Sequence, residues 1–282
     1  ANDKTTNFPH KDNFMRYVYI LLLALLPITI KADPSYFARF SYQGKIQYGQ
    51  IIKDRITPVT GDIFSNPIAT DTTLSLDQVE LLTPTEPQKV FAVGMNFASH
   101  IASSPSRPPP LFLKLPTSVI ASGKPVKLPP DARNVHFEGE LVLVIGKKTK
   151  NISEADAAQA IYGVTVGNDL TERSWQGSDL QWMRAKASDG FGPVGPVIAR
   201  NIDYNNVMLT TRLNGQVVQQ ENTRNMIHKP ARVVSYLSQY FTLMPGDLIF
   251  MGTPGRTKAL TQGDKVSVTI EQVGTVENVI QQ

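Results

Sequence analysis

Glu138 and Glu140 flank a glycine in the run His136-Phe137-Glu138-Gly139-Glu140, and the residues that follow, Leu141 to Ile145, are all apolar. In extended chain, residues i and i+2 point to the same side, so two carboxylates sit together at the head of a buried strand. Like charges this close repel unless a cation lies between them. A third carboxylate, Asp169, closes a second apolar run, Ile161 to Val166, and can meet the pair from a neighbouring strand. Three oxygen donors in a chain without cysteine suit a hard divalent ion, Mg²⁺ or Mn²⁺ with Ca²⁺ as an alternative, better than zinc. The competing reading is a solvated sheet face, where Glu-x-Glu is common. Such a face usually keeps alternating polar and apolar residues, whereas these glutamates run straight into an apolar segment.

Those carboxylates need strands to hold them, and strands dominate the pattern. Phe37 to Tyr42, the turn Gln43-Gly44 and Ile46 to Ile52 read as a β-hairpin. Polar, proline-containing loops are expected from there to Pro87. Val90 to Gly94 contains a strand, Ser103 to Pro110 holds four prolines and reads as a loop, and Leu111 to Leu115 and Ser118 to Ala121 are short apolar runs. Ser153 to Ala160 is expected to form a short helix capped by Ser153. Val207 to Leu213, Asn214-Gly215 and Val217-Val218 predict a second hairpin. Ala231 to Phe241 predicts a helix, and Val266 to Ile270 the last strand. The fold class is therefore β-rich α+β.

Composition narrows the function classes. Hydrophobic residues make up 41% of the chain and charged residues 18%, ordinary for a globular protein. The formal charge of +4 is spread along the sequence, and its densest cluster, Lys147, Lys148 and Lys150, reads as a solvated loop, so no nucleic-acid partner is expected. With no cysteine, disulfides and thiol catalysis are excluded. Residues 1–33 form a leader of a different kind. Tyr17 to Ile30 carries no charge over fourteen residues, which suits the apolar core of a signal peptide and is short for a membrane span of about 20 residues. If residues 15–32 are a signal peptide the protein is exported, periplasmic or secreted; otherwise it is cytoplasmic. A retained anchor or a packed helix is the alternative, and no stable membrane span is expected unless the leader is retained. The remainder divides into a hairpin-led region, 34–86, and a second region, 87–282, which the resemblance set out below implies are a small N-terminal β-subdomain and a catalytic domain.

Taken together, several segments resemble the fumarylacetoacetate hydrolase superfamily. They are Val93 to His100, Phe112-Leu113-Lys114, Phe137 to Leu141 with Ile145-Gly146-Lys147, and Asn168 to Arg173 with Gln176. Lys186 with Asp189, Gly192 to Pro196, Asn214-Gly215, Pro245-Gly246-Asp247 and Gly252-Thr253-Pro254 continue the series in the family's order, from about residue 35 to the end. The resemblance implies a mixed β-roll, a homodimer, Mg²⁺ or Mn²⁺ as cofactor, and a small 2-oxo or β-diketo acid as substrate. It implies that Glu138, Glu140 and Asp169 ligate the metal, that His100 and Lys186 are catalytic, and that Arg173, Gln176, Lys186 and Thr253 bind substrate. The expected reaction is carbon–carbon bond hydrolysis of an acylpyruvate; decarboxylation or tautomerisation of oxaloacetate is the alternative, and a non-catalytic 2-oxo acid binder the third reading.

One departure from the family pattern bears on that choice. In hydrolytic members the histidine matching His100 is followed three residues later by a glutamate, and the pair activates water. Here that position is Ser103, in a stretch that is proline-laden and a few residues short. A serine cannot hold an imidazole charged or fix its tautomer as a carboxylate does. His136 reads either as a partner of the metal site or as a structural histidine, His228 as a surface or loop residue, and His10 lies in the leader.

Overall fold

The computed structural model describes residues 32–101 and 108–281. The leader, with its export and anchor readings and His10, and Ser103 lie outside the described residues. The chain opens with β1 (Ser35–Tyr42), β2 (Lys45–Ile52) and β3 (Arg55–Thr60), followed by β4 (Val90–Val93) and β5 (Leu111–Lys114). The centre is β6 (Gly139–Ile145) and β7 (Ile161–Asn168), then the short helices α1 (Arg173–Ser178) and α2 (Met183–Ala187), and β8 (Val197–Arg200). The hairpin β9 (Met208–Leu213) and β10 (Gln216–Asn222), helix α3 (Pro230–Tyr240), and strands β11 (Leu248–Phe250), β12 (Lys265–Ile270) and β13 (Gly274–Gln281) complete it. This is a β-rich α+β fold.

The strands form two large sheets. One runs β3-β2-β1-β8-β7-β6-β11-β4-β5, with short strands added at its margins, and the other runs β13-β12-β9-β10 with Val126–Lys127 at its edge. Strand β6 is buried at every position, because cores lie on both of its faces. Leu141, Leu143 and Ile145 enter the larger core, shared with Leu209, Val268 and Val276 of the second sheet. Val142 and Val144 turn the other way, toward Val90, Ile198, Leu248 and Phe250. Two-sided burial is why the sequence shows a continuous apolar run and no alternation.

Three elements and one residue differ from the sequence reading. Strand β3 occupies part of the expected loop region; Pro58 sits opposite Gly49 in the β2–β3 register, and its neighbours Ile56 and Val59 keep the strand pattern. The expected Ser153 helix is a 3₁₀ turn, Ala157–Ala160, with no side-chain cap. The Ser153 hydroxyl instead accepts from the Asp156 N–H at 3.1 Å, closing a local turn in the manner usual for serine. Val266 to Ile270 is not the last strand, because β13 follows and pairs with it along its length. An inward-facing Asn278, bonded to the carbonyls of Ala121 and Lys124, interrupts the apolar alternation of β13 and conceals it. His228 lies in a loop, one of its two expected settings, but is buried and not on the surface, and its backbone N–H donates to the Asn96 side chain at 2.7 Å.

Candidate metal centre and active site

The β6–β7 pair fixes the three carboxylates. Its antiparallel register sets Gly139 opposite Asn168 and Glu140 opposite Gly167. The pairing continues one step past the strand ends, where the Asp169 N–H donates to the Glu138 carbonyl at 2.8 Å and the Glu138 N–H to the Asn168 side chain at 2.9 Å. Asp169 is thereby held beside Glu138 and Glu140, and one oxygen from each of the three lies within 4.8 Å of the others. All three are buried. The glycine between the glutamates is demanded by the second sheet: a Cβ at Gly139 would sit 2.2 Å from Thr211 Oγ1 and 2.9 Å from Val268. The Glu-Gly-Glu motif is thus a pair of carboxylates around a point of sheet-to-sheet contact.

Cations surround this cluster unevenly. Lys186 Nζ, presented by α2, lies 2.6 Å from both Glu138 Oε2 and Asp169 Oδ2. Lys114, at the end of β5, places Nζ 2.6 Å from Asp169 Oδ1. Arg173, the opening residue of α1, donates to Glu138 Oε1 and to Gln176 Oε1 one turn along the same helix face. Glu140 makes no ion pair among the described residues; its Oε2 accepts the Gly252 N–H at 2.7 Å.

The electrostatics follow from that asymmetry. Burial drives the Glu138 carboxyl upward, but Lys186, the His100 contact and Arg173 outweigh it and hold the group well below the usual carboxylate range. Burial, with the charges of Asp169 and Glu138 added to it, pushes Glu140 well above that range. The lysines split in the same way. Burial opposes charge on Lys186, yet Asp169 and Glu138 together carry it above the ordinary lysine value. Burial, joined by repulsion from Lys186, brings Lys114 down despite its contact with Asp169.

A cluster of buried oxygen donors with one carboxylate left without a cation is the environment a hard divalent ion completes. Glu138, Glu140 and Asp169 fit that role by donor type, burial and convergence.

A cavity of about 330 Å³ opens onto the cluster. Its wall brings together every residue to which the resemblance gives a role: His100, Glu138, Glu140, Asp169, Arg173, Gln176, Lys186 and Thr253. The Phe112 ring lies 4.7 Å from Lys186 Nζ. His136 stands apart from this set. Its Nδ1 contacts Thr257 Oγ1 and its Nε2 contacts Asn134 Oδ1, both at 2.9 Å, so both ring nitrogens are engaged in structural contacts. Burial, then the Arg173 charge, lowers its basicity.

Sequence reasoning missed three contributors. Lys114 lay within a quoted motif without a role; its signal is a lysine that closes a short apolar strand and therefore has to find a buried partner. Gln219 donates to Thr253 Oγ1 and the Pro254 carbonyl while accepting the Gly139 N–H, which ties the glutamate motif to the following loop. Thr257 accepts from Arg173 at 3.1 Å. The loop 252–257 therefore touches Glu140, Arg173 and His136.

Comparison with known proteins places the chain in a family. Residues 89–281 match the family description fumarylacetoacetate (FAA) hydrolase C-terminal, and residues 37–84 match Rv2993c-like, N-terminal. The chain belongs to the fumarylacetoacetate hydrolase family. It is 44% identical over 221 residues to protein Rv2993c of Mycobacterium tuberculosis, covering 76% of this chain and 83% of that protein. It is 36% identical to the human mitochondrial oxaloacetate tautomerase FAHD2A, covering 73% of this chain and 70% of that one. Among solved structures, 2-hydroxyhepta-2,4-diene-1,7-dioate isomerase from Mycobacterium marinum superposes with a TM-score of 0.83 at 37% identity, over 88% of this chain and 98% of that one. Maleylpyruvate hydrolase from Sphingobium, solved with manganese(II) and pyruvate, superposes with a TM-score of 0.74 at 25% identity, over 88% and 99%. Relatives in the family are enzymes: hydrolases, isomerases and tautomerases. Among the described residues no helix is long and apolar enough to cross a membrane.

Proposed function

We propose that this protein is a divalent-metal-dependent enzyme of small 2-oxo acids, and that keto–enol tautomerisation of an oxaloacetate-type dicarboxylate is its favoured reaction. One observation carries the reading. A complete buried carboxylate cluster stands beside a histidine whose ring has no carboxylate dedicated to it among the described residues. His100 Nδ1 lies 2.6 Å from the Gly255 carbonyl, and Nε2 lies 3.5 Å from Glu138 Oε1, a carboxylate already engaged by Lys186, Arg173 and Thr171. Water attack needs a strongly assisted base, whereas tautomerisation needs only a proton moved between carbon and oxygen.

Glu138, Glu140 and Asp169 would hold Mg²⁺ or Mn²⁺, which would supply Lewis-acid polarisation of a ketone oxygen. The remaining chemistry belongs to the chain. Arg173 and Lys186 present positive charge to substrate carboxylates, with Gln176 and Thr253 offering further polar contacts on the cavity wall. Lys186 stays protonated beside Asp169 and Glu138, so it donates to developing negative charge and does not act as a base. His100 Nε2 takes the proton from the carbon next to the ketone and delivers it to the enolate oxygen, so the ring ends the cycle as it began. Phe112 and Trp182 line the cavity and limit water around the reacting atoms.

Carbon–carbon hydrolysis of an acylpyruvate is the second reading. The fold shared with a maleylpyruvate hydrolase favours it. The two separate when purified protein with Mg²⁺ is given oxaloacetate or acetylpyruvate and absorbance follows the enol or the cleaved product. The expected result is tautomerisation well above the buffer rate and slow cleavage. Cleavage faster than tautomerisation would reverse the preference, and neither reaction would remove the enzymatic reading for these substrates.

A further inference from the structure

His100 is held by more than one residue. Its Nδ1 faces the Gly255 carbonyl oxygen at 2.6 Å. A carbonyl only accepts, so Nδ1 carries the proton; Nε2 faces the carboxylate cluster, 3.5 Å from Glu138 Oε1, where it donates when the ring is charged and presents its lone pair when the ring is neutral. Gly255 is itself fastened. Its N–H donates to Ser99 Oγ at 3.0 Å, and the Ser99 hydroxyl spends its one proton on Glu221 Oε2. Glu221 projects from β10 and also accepts from Asn225 Nδ2 at 3.1 Å. Gly255 stands at φ +62°, a conformation that side-chain-bearing residues rarely adopt and that no neighbouring atom crowds. Gly255 is part-buried, and both of its backbone polar groups are engaged, the N–H by Ser99 and the carbonyl by His100.

We propose that Ser99 and Glu221 are positioning residues which, through Gly255, hold His100 in the Nδ1–H tautomer with Nε2 directed at the substrate. The donors and acceptors close without remainder: imidazole N–H to carbonyl, amide N–H to hydroxyl, hydroxyl to carboxylate. Glu221 is the carboxylate at the end of this chain, reaching His100 from a strand 121 positions away in sequence, where the adjoining segment offers Ser103. It acts through the backbone of Gly255, whose N–H and carbonyl belong to successive peptide groups, so it sets the tautomer without drawing the proton away from the ring. The role assigned to Nε2 rests on the enzymatic reading above; the tautomer itself does not.

The test reads the tautomer directly. The full chain is labelled with ¹⁵N-histidine, and His100 is assigned among the four histidines by its loss in His100→Gln. Ring nitrogen shifts are recorded with Mg²⁺ at a pH above the ordinary imidazole range. The wild type is expected to show a protonated Nδ1 and an unprotonated Nε2. Ser99→Ala and Glu221→Ala should move both shifts toward a mixture of tautomers, and Ser99→Thr, which keeps the hydroxyl, should restore the wild-type pattern. With oxaloacetate, Ser99→Ala is expected to lower kcat about ten-fold with KM little changed, a fraction of what general-base assistance contributes. A protonated Nε2 in the neutral wild-type ring overturns the proposal. So do wild-type shifts in both alanine variants when circular dichroism shows them folded. Absence of turnover in the wild type would count against the enzymatic reading alone, because the nitrogen shifts would still report on the chain of bonds.

Discussion

The carboxylate cluster and the His100 segment face the same cavity but are built by opposite means. Glu138, Glu140 and Asp169 stand at the ends of two strands buried on both faces, with a register that Gly139 and Gly167 make too tight to slip. His100 follows a bend after Phe97, is part-buried, and depends on hydrogen bonds to a loop glycine. The comparison teaches where this fold is free to vary. Charge placement is locked into the sheet, whereas the histidine to which the proposed reaction gives the proton stands on a loop, and loops tolerate substitution far better than a double-sided core. A family with hydrolase, isomerase and tautomerase members is consistent with such a division.

The sharpest way to break the comparison is to damage the rigid half. Glu140→Ala removes one donor from the cluster without touching an ion pair. A Lewis acid supplies several kcal/mol of transition-state stabilisation, and each 1.4 kcal/mol is ten-fold, so turnover should fall by roughly 10² to 10⁴. The same variant should lose the rise in melting temperature on adding Mg²⁺ or Mn²⁺, which in the wild type grows with free metal. A wild-type metal response from Glu140→Ala would mean that the ion sits elsewhere.

Much of that rigid half was legible in the sequence, and the reason is local. Glu138 and Glu140 are two residues apart, strand periodicity is two, and the apolar run states that the strand is buried. The other contributors were illegible because their contacts span great distances along the chain. Lys114 meets Asp169 across 55 residues, Gly252 meets Glu140 across 112, and Gly255 meets His100 across 155. No periodicity encodes such meetings. Among the elements, β13 was hidden by an inward asparagine and β3 by a proline, residues whose local preference opposes strand and whose long-range partners override it.

The two lysines sharpen the comparison within the cluster. Lys186 gains more from Asp169 and Glu138 than burial costs it, whereas Lys114 does not. Lys186→Met leaves two buried carboxylates short of a partner, and breaking a buried pair in this way costs about 3–5 kcal/mol. Lys114→Met removes a cation whose charged form burial disfavours and leaves Asp169 its contact with Lys186, so its cost should be clearly smaller. Urea unfolding of the metal-free proteins checks the order; equal losses would show that Lys114 is an equal partner.

Acidity offers a gentler probe. Glu140 is shifted up and Glu138 down. Between the ordinary carboxylate range and the raised Glu140 value, the folded protein holds a proton on Glu140 that the unfolded chain releases, while Glu138 is ionised in both. The metal-free protein should therefore gain stability from Glu140 as pH falls through that window and lose it as pH rises through the folded value, by at most about 1.4 kcal/mol per pH unit for one proton. Metal binding needs Glu140 ionised, so the increment in melting temperature from Mg²⁺ should grow as pH rises. An increment flat across the window would separate Glu140 from the ion.

The smallest expected effect lies on the loop side. Ser103 occupies the position of the hydrolytic carboxylate, and Ser103→Glu tests whether His100 lacks only that partner. General-base assistance is typically worth about 10² to 10⁴, and a carboxylate placed on a shortened, proline-rich segment should recover only part of it, roughly ten-fold on cleavage of acetylpyruvate. Tautomerisation of oxaloacetate should barely change, because Glu138, Glu140, Asp169 and Lys186 are untouched and Nε2 already points where that reaction needs it. The ratio of the two rates is therefore the measurement that matters. An increase in both reactions together would mean that the new carboxylate acts on His100 generally and that the wild-type ring is poorly held, against the chain through Gly255. Strong acetylpyruvate cleavage by the wild type that survives His100→Ala would go further: the base would lie elsewhere, and the loop side of the comparison would have to be rebuilt around a different residue.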